Sequence, residues 1–335
     1  MKRHWVVLLF VAVLVGASVP LILGGKGLFI ELLKVPPSWL LGMVALIFLC
    51  WNLNALRLRL MLKGRARHLS HRAALATVMA TEFTLNATPG GSGAPFAMAA
   101  LLRRHGVAPA TATAVLAVDQ LTDLLVFLLL LPTLALYGLS RYLNLFGWWE
   151  LAVPFALLSA GLLLVVLMAR AHRPLLSTTG EWLRRLRVKR SRRFGLARSM
   201  LRFRSGIGDT LAVPKRRLLA MFGLCLAHWL LRYSVIWLAV LSLGDQIDWV
   251  YGFFVQMVAM GAGHLTLLPG GAGGAEVAGA AMLNPWLGSL TTATVIVVWR
   301  FITFYWYLIA GGLVMLIFTA REARRARAAS PPLGG

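Results

Sequence analysis

Acidic residues are scarce. Only 11 Asp and Glu stand among 335 residues, against 34 Lys and Arg, and the four types together make up 13%. A soluble domain carries about 25% charged residues, so this chain has too little polar surface to cover itself in water. That excludes a soluble enzyme, a disordered chain and a coiled coil. Cysteine is scarcer still. Cys50 and Cys225 sit in apolar runs and neither has a CxxC partner. No zinc site, redox motif or disulfide framework is expected, only two small buried hydrophobes. Catalytic motifs are missing too: there is no HExxH, GxSxG or Walker A. Asp245-Gln246-Ile247-Asp248 lacks the Asp-x-Asp spacing of a metal-dependent glycosyltransferase. We therefore expect no enzyme activity, no cofactor, no metal and no ATP-driven transport within this chain.

What remains is apolar. Hydrophobic residues make up 59%, and the mean hydropathy is +0.77. A spanning helix needs about 20 apolar residues. Six runs qualify: Trp5–Gly24, Trp39–Leu62, Pro109–Tyr137, Leu151–Arg170, Leu218–Leu243 and Ser289–Ala320. Two further stretches are interrupted. Ala73–Leu102 is broken by Pro89-Gly90-Gly91-Ser92-Gly93, and Tyr251–Leu283 by Pro269-Gly270-Gly271-Ala272-Gly273-Gly274. Pro and Gly clusters cannot continue a helix, and unwound backbone at membrane depth survives only where protein or water satisfies it. Both stretches read as re-entrant helical hairpins.

The net charge of +23 is read through topology, not through nucleic acid. Of the 34 Lys and Arg, 29 fall on one side: residues 1–4, Arg57 and Arg59, 63–72, Arg103 and Arg104, 170–217, and the tail from Arg321. Lys26, Lys34 and Arg141 fall on the other, and Arg232 and Arg300 lie inside runs. The positive-inside rule then places both termini in the cytoplasm, with the two hairpins entering from opposite sides. A bacterial-type plasma membrane is the expected location. The first run also has two readings. Lys2-Arg3, an apolar core and Val15-Gly16-Ala17 resemble a cleavable signal peptide, whereas apolar sequence continuing to Leu23 favours an uncleaved span.

The chain repeats itself at an offset of 180 residues. Pro89-Gly90-Gly91 matches Pro269-Gly270-Gly271, and Gln120 matches Arg300. Each repeat reads as span, broken hairpin, span, over 39–137 and 218–320, joined by a basic connector at 170–217. Their charge sidedness is opposite. Inverted repeats with paired broken helices are a transporter signature, with the binding site near the midplane. The fold expected over 1–335 is therefore a single all-α polytopic membrane domain, with six full transmembrane helices and two opposed re-entrant hairpins in an inverted repeat. The connector has two readings: a basic amphipathic helix on anionic inner-leaflet lipids at 181–204, or a plain loop fixing topology.

With these motifs in view, the chain resembles the flippase-like membrane family of the lysylphosphatidylglycerol synthase transmembrane region. Pro269-Gly270-Gly271-Ala272-Gly273-Gly274-Ala275-Glu276 is similar to the family's second hairpin, and Val118-Asp119-Gln120-Leu121-Thr122-Asp123 to its following-helix signature. The first hairpin departs, with Gly93-Ala94-Pro95 where the family usually has Gly-Glu and then a basic residue. The resemblance implies a stand-alone translocase-like protein of envelope-lipid metabolism, without the soluble aminoacyltransferase domain. Its cargo would be a phosphate-bearing, polyprenyl or hopanoid-type lipid. A membrane scaffold for lipid synthesis and a small-solute secondary transporter are the competing classes.

Ionisable residues inside spans cost roughly 2.5 to 3.5 kcal/mol each on insertion scales and mark functional interiors. Here they are Glu82, Asp119, Asp123, His228, Arg232, His264, Glu276 and Arg300. Asp119 and Asp123 share a helix face at i,i+4, so a shared proton or an intervening cation is expected. Glu82 and Asn86 lead into the first break at the same spacing. The candidate substrate-binding set is Arg300, Glu276, Asp119, Asp123, Arg232, Glu82 and Asn86, with Gly90, Gly91, Gly270 and Gly271 at the breaks. The half-helices after the breaks present N-terminal N–H groups for a phosphate, which Arg300 and Arg232 would reinforce. The acidic set would meet protons or a cationic headgroup. Two accounts of Arg300 and Glu276 compete: a pair that opens to admit phosphate, or buried glue for the bundle.

Overall fold

A computed structural model of the protein describes residues 3–62, 66, 69–142, 156, 159–160, 163 and 190–329. Every regular element among these residues is helical. In chain order they are α1 (Arg3–Gly24), α2 (Leu28–Leu33), α3 (Pro37–Met61), α4 (His71–Ala87), α5 (Ala94–Arg103), α6 (Pro109–Tyr142), α7 (Arg190–Leu211), α8 (Lys215–Arg232), α9 (Val235–Leu241), α10 (Trp249–Leu265), α11 (Gly274–Arg300) and α12 (Trp306–Ala329). Five stretches are long and apolar enough to cross a membrane: Val7–Leu33, Pro37–Met61, Pro109–Leu130, Lys215–Leu241 and Pro269–Arg321. The chain is thus a multi-pass membrane protein. The expected run 151–170 and the first part of the connector lie outside the described residues, four isolated positions apart.

Local chemistry explains where the helices begin and stop. Pro37 and Pro109 open α3 and α6, where a missing N–H costs nothing. Ser70 caps α4 by accepting from the Ala73 N–H at 3.2 Å, and Asp248 caps α10 by accepting from Val250 at 2.8 Å. α4 and α10 both end at a Pro-Gly-Gly turn. Gly90 and Gly91 have φ of 55° and 69°, and Gly270 and Gly271 have φ of 64° and 68°. Two consecutive left-handed residues are cheap only for glycine, which is why both breaks are built from it.

The expected run 289–320 begins just after a break in the structure and is itself divided. Gly288, three residues after Pro285, has φ 72° and ψ 169° and interrupts α11. A five-residue π turn, Phe301–Tyr305, then separates α11 from α12. Helix α12 continues past Ala320 to Ala329 instead of ending with the apolar sequence.

The chain forms two compact bodies. The first takes in Met1–Ala55, Ser70–Met98 and Leu231–Gly335, and the second Leu56–Leu69 and Ala99–Leu230. In the first, α11 packs against α1 and α10, and α12 against α4. Gly311 permits the α12–α4 approach, since a Cβ there would lie 2.6 Å from the Met79 carbonyl oxygen. Trp51, Trp299, Tyr307 and Phe253 are its largest fully buried apolar side chains. In the second body α6 packs against α7. Gly206 makes that contact close, because a Cβ on it would lie 2.8 Å from the Ala114 Cβ.

Candidate functional site

Both breaks belong to the first body, and their Pro-Gly-Gly turns touch each other. The second turn also touches α4 and α1. This meeting is what the repeat pattern leads one to expect of paired broken helices.

At the second break one arginine organises the backbone. Arg300, at the end of α11, donates from Nη1 to the Gly270 carbonyl at 3.0 Å and from Nη2 to the Gly271 carbonyl at 3.2 Å. Its Nε lies 2.7 Å from Glu276 Oε1 in an ion pair whose side chains are 4% and 2% exposed. The other carboxylate oxygen, Oε2, accepts from the Gly273 N–H at 2.7 Å. Glu276 stands at the third position of α11, so its negative charge also meets the positive end of the helix. The guanidinium stacks near two rings, 4.8 Å from Trp299 and 5.7 Å from Phe304. Phe304 packs so tightly on the turn that a Cβ on Gly270 would lie 2.1 Å from its ring.

One N–H just before each half-helix is thus satisfied within the chain, that of Gly273 at the second break and that of Gly93 at the first. Burial explains it: an unsatisfied N–H away from water is costly, so the chain supplies its own acceptor. At the first break that acceptor is a hydroxyl. Thr88 Oγ1 accepts from the Gly93 N–H at 2.9 Å and donates to the Thr84 carbonyl at 2.6 Å.

Two other groups of charges are brought together. In the first body Arg232 Nη1 lies 3.6 Å from Glu82 Oε2. The Arg232 guanidinium sits 4.8 Å over the Tyr307 ring, which packs edge-on to Trp51 at 5.0 Å. Asn86, buried on the same helix as Glu82, donates to the Glu82 carbonyl at 2.9 Å. In the second body Arg57 pairs with Asp119 and, at 2.9 Å, with Asp123. The Cys225 thiol donates to Asp123 at 3.1 Å. The cation expected between the two aspartates is thus a residue of the chain. Arg57, counted above among the charges of one membrane side, is buried at 1% exposure against these carboxylates. Two partly buried like charges on one face of α6 need a counter-charge, and Arg57 supplies it. His228 is buried, its ring 5.2 Å from that of Trp229. His264 is exposed and donates to the Met260 carbonyl of its own helix at 2.7 Å, not across helices.

Sequence reasoning missed Arg57, Thr88 and the first helix as parts of these arrangements. A signal existed for Arg57, since it interrupts the apolar string Ala55-Leu56-Arg57-Leu58. None existed for Thr88, whose role depends on the turn geometry.

Broken helices carrying buried ion pairs in a multi-pass helical bundle define a membrane protein built around interior polar sites. The chain belongs to the family described as the lysylphosphatidylglycerol synthase TM region, which matches residues 7–311. It is also similar to a UPF0104 membrane protein of Archaeoglobus fulgidus, with 22% identity over 284 residues, covering 82% of this chain and 86% of the relative. No solved structure matches.

Proposed function

We propose that this protein binds and translocates a phosphate-bearing membrane lipid, the two breaks forming the path of the headgroup while the acyl chains stay in the bilayer. The reading takes the chain as six spans and two opposed re-entrant hairpins in an inverted repeat, with both termini cytoplasmic and no enzymatic step. Basic residues of the 181–204 segment rest on anionic lipid. The observation that carries it is the contact of two Pro-Gly-Gly turns of matching left-handed geometry, 180 residues apart, inside one body. Irregular backbone in a membrane is tolerated where protein or a polar cavity satisfies it, and such breaks line substrate sites in transporters.

Arg300 and Glu276 act as the latch of the second break. A lipid phosphate competes for the Arg300 guanidinium, whose planar donors suit bidentate phosphate contact. Its departure frees Glu276 to accept a proton or a cationic group. Within the first body Arg232 with Glu82 and Asn86 extends the polar route, and Gly90, Gly91, Gly270 and Gly271 supply the unwound backbone; Asp119 and Asp123, held by Arg57, form a separate polar group in the second body.

The test is lipid movement in vesicles reconstituted with the whole chain, using a fluorescent phospholipid and reduction by an impermeant reagent from outside. Protein-dependent equilibration of the probe is expected, and its loss in Arg300→Gln with Glu276→Gln retaining lipid binding. Vesicles with folded protein that move neither a phospholipid nor a polyprenyl-phosphate probe would reject translocation and favour a scaffold.

A further inference from the structure

Helix α1 crosses the second break at a cut-out. A Cβ on Gly16 would lie 2.8 Å from Glu276 Oε1 and 3.8 Å from the Ala272 Cβ. One residue earlier, Val15 Cγ1 lies 2.9 Å from where a Cβ on Gly273 would stand. The glycine lets the helix backbone lie directly against the carboxylate, and Glu276 is left only 2% exposed. Farther along, Gly24 lies against Ala293, where a Cβ would come within 3.0 Å.

The same turn of α1 is its weakest. Pro20 lies inside the helix, and having no N–H it cannot bond the carbonyl of residue 16, four positions back. Ser18 Oγ donates to the Val15 carbonyl at 2.7 Å, a back-bond that weakens and bends helices. Glycine itself is a poor helix former. Close approach to the carboxylate and loss of helical support therefore fall at one level of one helix. Kinks arise at such points.

We infer that α1 is a hinged cover over the Glu276 carboxylate and that Gly16 is the positioning residue that lets it close. The cover excludes water from the Arg300–Glu276 pair, which strengthens the pair's attraction in a low dielectric. Because position 16 has no side chain, nothing has to be withdrawn from a pocket when α1 tilts away. A small movement about the Gly16–Pro20 turn exposes Oε1, the oxygen that faces Arg300. Glu276 is then reached from the α1 side. The assignment deepens the lipid-translocation reading by naming the element that opens the site.

Substitution of Gly16→Ala and Gly16→Leu tests it. A Cβ at position 16 would lie 2.8 Å from Glu276 Oε1, so either side chain should hold α1 off the break. A hydrophobic carbodiimide, which modifies protonated carboxyl groups in apolar surroundings, reports on Glu276 by peptide mass spectrometry, in vesicles holding the whole chain. Labelling of Glu276 should be several-fold faster in Gly16→Ala than in the wild type and faster again in Gly16→Leu. The control Gly42→Ala, where a Cβ would meet nothing within 4 Å, should label as the wild type does. Labelling that is the same in the wild type and both Gly16 variants overturns the inference. Lipid movement measured in the same vesicles separates the two readings. Faster labelling in the variants with no lipid movement in the wild type keeps the cover and rejects translocation. Lipid movement in the wild type with unchanged labelling in the variants rejects the cover and keeps translocation.

Discussion

The two breaks share a backbone and differ in what holds it. Residues 90 and 91 and residues 270 and 271 adopt the same left-handed pair, and three residues past the first of these glycines each turn must satisfy one N–H, Gly93 or Gly273. At the first break a threonine hydroxyl does so from the preceding helix. At the second, a carboxylate does so from the following helix and is itself held by Arg300. The positions corresponding to Glu276 and Arg300 are Phe96 and Gln120. Phe96 is 78% exposed where Glu276 is 2% exposed. The two turns thus share a geometry but not a charge, and of the two it is the second that carries an ion pair. The neutral first break should tolerate loss of its support better than the charged second break.

Removing one partner of the charged support should have the largest effect. Arg300→Met leaves Glu276 buried without its counter-charge and should cost about 3–5 kcal/mol, read as a fall in the thermal unfolding midpoint in detergent. The double variant Arg300→Met, Glu276→Met should recover much of that loss. If it recovers lipid movement as well, the pair is structural glue and the breaks differ only in how they are held.

Next comes Gly271→Leu. A Cβ there would lie 2.8 Å from the Gly263 Cα, and backbone cannot yield. Overpacking and the left-handed φ together should cost about 3 kcal/mol. At Gly91 a Cβ would first meet the flexible Leu85 side chain, at 3.0 Å, with the Leu85 carbonyl at an ordinary 3.7 Å, so for Gly91→Leu the φ penalty of roughly 1–2 kcal/mol dominates. Equal destabilisation of the two variants would remove the asymmetry in packing.

The smallest effect belongs to the hydroxyl. Thr88→Val removes the acceptor for Gly93 and should lower stability by about 1 kcal/mol, with Thr88→Ser near wild type. Amide exchange at Gly93 is the sharper readout: it should rise in Thr88→Val and stay unchanged at Gly273. Faster exchange at Gly273 would mean the two turns are supported jointly.

Much of this organisation can be read from local sequence. The Pro-Gly-Gly strings announce both breaks, because only glycine accepts two successive left-handed residues, and the recurrence at 180 residues pairs them. Glu276 three residues after Gly273 is a visible capping position. Glu276 just after the second break and Arg300 in the run that follows are opposite charges inside one apolar region, which suggests their pairing. Other features are not local. Arg57 lies 62 residues from Asp119, and a span-end arginine looks the same whether it faces lipid headgroups or carboxylates. Gly16 sits in an apolar string whose pattern gives no hint of which helix it will touch. The interruption at Gly288 falls where the stretch to Leu283 gives way to the run from Ser289, a boundary that Pro285 and Gly288 mark in the sequence. The fourth apolar run, 151–170, lies outside the described residues apart from four isolated positions.

The wide turn at Phe301–Tyr305 sets the phase of everything after it. A π turn carries one residue more than the α-helical turn it replaces, and each residue of a helix advances the face by about 100°. Tyr307 reaches Arg232 and Trp51 because of that extra residue. Deleting one position between 301 and 305 would rotate all of α12, swinging Tyr307 off the guanidinium and Gly311 off Met79 while leaving every side chain intact.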